Sequence, residues 1–226
     1  MSRARHAVLA GATGLVGRAL LARLLQDPAT AHIYALARRP LPPHAKLTAC
    51  PADFDDLDRA LAVVPAEAAP DVYCALGTTL RTAGSQAAFR RVDHGYVLAL
   101  GQWALRAGAR RLLVVGAVGA DARSGNFYSR VKGQTEAALR ALPLRSLVIA
   151  RPSLLAGKRD EWRTGERLAL AFTRPLRPLI PAALRPIGAD DVAAALWQAA
   201  QQAEPPAVLT SAAMQGAAQR TAPPGH

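Results

Sequence analysis

The chain has 226 residues, enough for one α/β domain, and its 51% hydrophobic content supplies ample core. The formal net charge of +12 invites a nucleic-acid reading, but the basic residues are scattered and aromatics make up only 5%, so no specific nucleic-acid site is expected. No uncharged apolar run reaches the roughly 18 residues of a membrane span, and neither Cys50 and Cys74 nor the five histidines show metal-ligand spacing; the expectation is no membrane, no metal, two small buried thiols and a cytoplasmic setting.

In chain order, the strand-like run Ala7–Ala10 leads into Gly11-Ala-Thr-Gly-Leu-Val-Gly17 and the amphipathic stretch Leu15–Gln26. Strand, glycine turn and helix in that order predict a dinucleotide cradle built from Gly11, Thr13, Gly14, Leu15, Val16 and Gly17. The expected roles are a tight turn at Gly11, bare backbone against a pyrophosphate at Gly14, and close helix-to-strand packing at Gly17. Phosphates then sit on the free N–H groups at the start of the helix. The spacing is GxxGxxG, not the plain GxGxxG, and a glycine-rich turn of any α/β protein is the bland alternative.

A second strand, His32–Ala37, ends at Arg38 and Arg39, where NAD-selective sites carry an acid that accepts the ribose 2′-hydroxyl. A guanidinium cannot accept that bond but grips a phosphate with two, so the pair predicts NADP(H); a solvated loop is the other reading. The strand Lys46–Cys50 brings Asp53, a candidate for the adenine amino group, and a helix over Leu57–Val64 follows. Further strands are expected at Asp71–Ala75, Arg111–Val115 and Ser146–Ala150, and further helices at Gln86–Ala107 and Tyr128–Leu142. This alternation predicts right-handed crossovers and a doubly wound parallel sheet, with ligands beyond the carboxyl ends of its strands.

Tyr128 and Lys132 lie four apart on the last of these helices, hence on one face. A neighbouring ammonium lowers a phenol pKa from about 10, so Tyr128 is a candidate proton donor to a carbonyl oxygen, with Lys132 as its tuner and as an anchor for the nicotinamide ribose. A half-buried Tyr with a solvated Lys is the alternative. From Arg151 to Gly188 the pattern is irregular, with five prolines around one short helix at Trp162–Thr173. The domain reading is therefore a Rossmann domain over 1–203, with 154–188 covering the substrate, then a tail over 204–226, partly disordered; a helix at Asp190–Gln202, begun by a capping residue, packs back on the sheet.

Together with Cys74-Ala-Leu-Gly-Thr-Thr79, Val92-Asp-His-Gly-Tyr-Val97, Asn126-Phe-Tyr-Ser-Arg-Val-Lys-Gly133 and Arg151-Pro-Ser153, the glycine turn resembles the atypical branch of the short-chain dehydrogenase/reductase superfamily, within it the bacterial relatives of the Tat-interacting-protein oxidoreductase. The resemblance covers nearly all of residues 6–200 and implies an NADP-binding Rossmann fold, with Gly77 and Thr78 lining the cofactor and Arg151, Pro152 and Ser153 flanking the nicotinamide. It also implies a catalytic serine after the fifth strand, where Val114-Val-Gly-Ala-Val-Gly119 has no hydroxyl. One such donor is worth about 2.7–4 kcal/mol, so weak carbonyl reduction is the expected activity. Ser124 or Thr78 is the candidate replacement, and a non-catalytic NADP(H)-binding regulator or assembly protein is the rival. The expected partners are an unidentified small molecule and a protein partner in the rival case, with a monomer or homodimer equally compatible.

Overall fold

Short apolar strands separated by amphipathic helices wind into one parallel sheet. A computed structural model describes residues 5–156 and 185–220. The chain runs β1 (Arg5–Ala10), α1 (Leu15–Gln26), β2 (Thr30–Ala37), β3 (Leu47–Pro51), α2 (Leu57–Ala60), β4 (Asp71–Cys74), α3 (Leu80–Ala83), α4 (Gln86–Arg90), a π-helical segment (Arg91–Tyr96), α5 (Val97–Arg106), β5 (Arg111–Val115), α6 (Phe127–Arg140), β6 (Leu147–Arg151), β7 (Leu155–Ala156), β8 (Ile187–Gly188), α7 (Ala189–Gln201), β9 (Val208–Thr210), α8 (Ser211–Met214) and α9 (Ala217–Arg220). The main sheet has seven strands in the order β3-β2-β1-β4-β5-β6-β9, every pairing parallel. This is the Rossmann-type arrangement expected from the sequence. Its order reverses between β1 and β4, where Ala10 pairs with Cys74, and the crevice beyond their carboxyl ends is where such sheets bind ligands.

Both faces of the sheet are covered, which is why the strands read as continuous apolar runs. In β1, Ala7 and Leu9 pack with Leu20 and Leu24 of α1 and Leu196 of α7, while Val8 and Ala10 face Leu100 and Trp103 of α5 and Leu139 of α6. β2 alternates the same way, Ile33 and Ala35 to one core and Tyr34 and Leu36 to the other. At the opposite end of the sheet from the crevice, arginines close the carboxyl terminus of α7. Arg110 donates to the Ala200 carbonyl at 3.2 Å, Arg5 at 3.4 Å, and Arg111 reaches the carbonyls of Ala200 and Gln202.

Several boundaries differ from the sequence expectation. The single helix expected over Gln86–Ala107 is divided by the π-helical turn, and the helix expected over Leu57–Val64 keeps only its first turn as α2. α7 begins at a Gly188 N-cap with no side-chain bond, so the expected capping residue is absent; Asp191 instead accepts from the Ala218 amide at 3.0 Å. The segment expected to be a tail supplies β9, α8 and α9 through Arg220. The short helix expected at Trp162–Thr173, most of the covering segment and the last residues lie outside the described residues.

Candidate functional site

Each glycine of the first loop answers a contact. Gly11 has a φ of +86°, and a Cβ there would lie 2.5 Å from the Ala75 carbonyl oxygen; a Cβ on Gly17 would lie 1.9 Å from the Gly11 oxygen. The Gly14 amide donates to the Gly11 carbonyl at 2.9 Å and tightens the turn. Gly14 is exposed and is the N-cap of α1 without a side-chain bond, and no acid occupies the first turn. A helix start of this kind, with Thr13 and Leu15 half-buried around it and Val16 buried beneath, offers backbone donors and a positive dipole end to a phosphate. The residues present thus fit a dinucleotide.

Arg38 and Arg39 are both exposed beyond β2, without a hydrogen bond or ion pair to any described residue. Asp53 is exposed beyond β3, but its Oδ1 accepts the Asp55 and Asp56 amides at 3.1 and 3.3 Å in a turn that leads into α2. That oxygen is committed to the backbone. Beside it Phe54 stacks on Tyr96 with ring centres 4.8 Å apart.

The loop after β4 meets α6 through a residue the sequence reading did not single out. Asp93, 1% exposed, accepts the Thr78 amide on Oδ2 at 2.9 Å and holds Oδ1 2.7 Å from the Lys132 ammonium. The π-helical turn sets Asp93 there; its backbone carbonyl accepts from the Thr135 hydroxyl at 3.0 Å, fastening the turn to α6. Gly77 passes close by, where a Cβ would lie 3.6 Å from Asp93 Oδ1 and 3.9 Å from Lys132 Nζ. Burial opposes the Lys132 charge, yet Asp93 and Tyr128 outweigh it and raise its pKa above the ordinary lysine value. The only trace of Asp93 in the sequence is its place in Val92–Val97, because its partner lies on a distant helix.

Tyr128 stands at the start of α6, whose Asn126 N-cap accepts the Ser129 amide at 3.1 Å. The Lys132 ammonium is 6.0 Å from the centre of the Tyr128 ring. A cleft of about 480 Å³ opens in front of Tyr128, bounded by Thr78, Leu80, Ala117, Val118 and Leu154. Ala117 follows β5, where the resemblance places a serine. Of the replacements weighed from sequence, Ser124 accepts the Asn126 amide at 3.2 Å and does not line the cleft. Thr78 does line it, and its hydroxyl reaches only the neighbouring Thr79 carbonyl, at 3.4 Å. The Thr79 hydroxyl caps α3 by accepting the Thr82 amide at 3.1 Å.

The Arg151-Pro152-Ser153 run divides. The Arg151 guanidinium, expected beside the nicotinamide, turns to the buried Glu136 carboxylate with bonds of 2.5 to 3.1 Å, so its side chain is structural; the bond to Glu136 raises its pKa. Pro152 and Ser153 line the cleft, but the Pro152 carbonyl accepts from the Val118 amide at 2.9 Å, and the Ser153 hydroxyl donates to the Arg185 carbonyl and accepts from Ser211 at 3.0 Å.

Comparison with known proteins places this geometry in context. The family model described as the NAD dependent epimerase/dehydratase family matches residues 7–210. The protein fmp52, mitochondrial, of Emericella nidulans is 34% identical over 177 residues, 76% of this chain and 76% of that protein. HTATIP2 of Rattus norvegicus is 35% identical over 167 residues, 72% and 67% of the two chains. Among solved structures, the Bordetella bronchiseptica enzyme WbmG in complex with NAD superposes with a TM-score of 0.66 at 18% identity, over 90% of this chain and 71% of its own, a likeness of fold. The cytoplasmic setting expected from the sequence is corrected by these relatives, since the fungal proteins are named as mitochondrial.

Proposed function

The chain belongs to the NAD dependent epimerase/dehydratase family, and from that membership we propose that it is an NADPH-dependent oxidoreductase that reduces the carbonyl group of a small molecule. The observation that carries this reading is Tyr128 at the mouth of an apolar cleft, one helical turn from a buried, Asp93-paired Lys132. A bound reduced nicotinamide supplies hydride to the carbonyl carbon. The Tyr128 phenol gives its proton to the carbonyl oxygen, a contribution of about 10²- to 10⁴-fold. Thr78 holds the same oxygen in place of the missing serine, and Lys132 anchors the ribose. The loop Gly11–Gly17 holds the diphosphate, while Arg38 and Arg39 select the 2′-phosphate. The cofactor contacts proposed at Gly77 and Thr78 are backbone ones, since Asp93 draws this loop against Lys132.

Tyr128→Phe should lower NADPH oxidation with aldehydes by at least about 100-fold, with binding of NADPH unchanged; unchanged turnover removes the proposed acid. Titration calorimetry should find NADPH bound more tightly than NADH, and Arg38→Ala with Arg39→Ala should reduce that preference by about 10- to 100-fold, the loss of charge-assisted bonds worth roughly 1.5–3 kcal/mol. Equal affinities in the unaltered protein overturn the NADP reading.

Ala117 favours a second reading, a non-catalytic NADP(H)-binding regulatory or assembly protein that keeps the cofactor and has lost the reaction. Tight NADPH binding without turnover across a broad carbonyl panel, with capture of a protein partner, is the result that selects it.

A further inference from the structure

Five large hydrophobic side chains stand exposed among the described residues, and four of them, Leu80 (42%), Val118 (37%), Tyr128 (38%) and Leu154 (59%), surround one cleft. Scattered exposed hydrophobics are ordinary, but their convergence on a concavity beside a Tyr-Lys pair marks a ligand surface. Among the described residues the polar side chains facing the same space are few. Thr79 and Ser153 spend their hydroxyls on backbone groups, no described charged side chain lines the cleft, and the nearby Arg151 is held by Glu136. What remains among the described side chains that line the cleft is the phenol of Tyr128 and the hydroxyl of Thr78, enough for one oxygen atom.

From this juxtaposition we infer that the substrate is an uncharged apolar carbonyl compound, an aliphatic or aryl aldehyde or ketone with one hydrogen-bonding oxygen. The inference rests on the reductase reading and narrows it. A carboxylate or phosphate would be desolvated here with no cation among the described lining residues, and a polyhydroxylated chain would press its hydroxyls on Leu80, Val118 and Leu154. The reaction balances as carbonyl compound, NADPH and one proton giving alcohol and NADP⁺, the hydride bonding to carbon and the proton to oxygen.

The test uses the full chain with NADPH and the straight-chain aldehydes from propanal to decanal, with glyceraldehyde and glyoxylate as polyhydroxylated and anionic controls. The value of kcat/KM should rise about two- to fourfold per methylene through the middle of the series. Both controls should fall at least about 100-fold below octanal. Leu80→Ser with Leu154→Ser, both at exposed positions, should lower the octanal-to-propanal ratio by about tenfold while circular dichroism stays unchanged. A flat series, or a preference for glyoxylate, overturns the inference while leaving the reductase reading intact. If no aldehyde is turned over, the reductase reading fails, and the surface is read by binding: calorimetry of the NADP⁺-loaded protein with hexanol, octanol and decanol should show affinity rising with length and falling in the double variant. Absence of that trend overturns the inference by itself.

Discussion

Asp93 and Lys132 are both more than nine-tenths buried, so each charge is tolerable only beside the other. Asp93→Ala would strand the ammonium and free the Thr78 amide, at a cost of about 3–5 kcal/mol. Urea denaturation checks the loss, and Asp93→Asn, which keeps an acceptor for that amide, should recover part of it. At this scale the sequence is legible where a requirement is local: Gly11 supplies the positive φ of the turn, and Gly14 and Gly17 each answer the Gly11 carbonyl a few residues away. It is silent where the requirement spans elements. Nothing near Asp93 in the chain announces Lys132, and nothing near Arg151 announces that Glu136 consumes its guanidinium.

The helices that present the site are held by close approach. A Cβ on Gly133 in α6 would lie 2.1 Å from the Ala122 amide nitrogen, against backbone with little room to yield. Gly133→Ala should therefore cost about 1–3 kcal/mol, at the upper end of that range, and should shift Tyr128 and Lys132 together. Gly125→Ala, in a loop position with nothing within 4 Å of the added carbon, is the control and should stay within about 0.5 kcal/mol. Thermal or urea melts of the pair decide it. Helix existence was readable from apolar spacing, because α1, α5, α6 and α7 each bury one stripe. The π-helical turn was not, because the buried apolar residues that flank it, Phe89 and Val97, stand at a separation an unbroken helix also allows, while Asp93 between them meets Lys132 and Thr135 of α6.

For the molecule as a whole, the doubly wound sheet followed from strands apolar on both faces, and part of the net charge of +12 is spent inside that architecture. Arg5, Arg110 and Arg111 spend their guanidinium groups on helix carbonyls and on Asp27 and Asp71, inside the architecture. Alkaline pH should find the weak side of this design. Burial pushes the Cys74 thiol up to about 11, and Asp93 with Tyr128 raises Lys132 against its burial, so the folded state holds both protons more firmly than the unfolded chain does. Their contribution is complete below the ordinary thiol value of 9.0 and is lost as pH rises toward and past 11. The urea midpoint should fall between pH 8 and pH 10.5, and Cys74→Ala should fall less steeply; an unchanged midpoint contradicts the account.

β9 was hidden for a different reason: three residues, Val208–Thr210, carry too little pattern to stand out from an Ala- and Pro-rich ending, and only pairing with β6 makes them a strand. Left bare, that flank of β6 would be a row of open amides and carbonyls, a template for a neighbouring molecule's backbone. With β9 in place the sheet ends on a strand of three residues, too short a rim to offer a long template for pairing with another backbone.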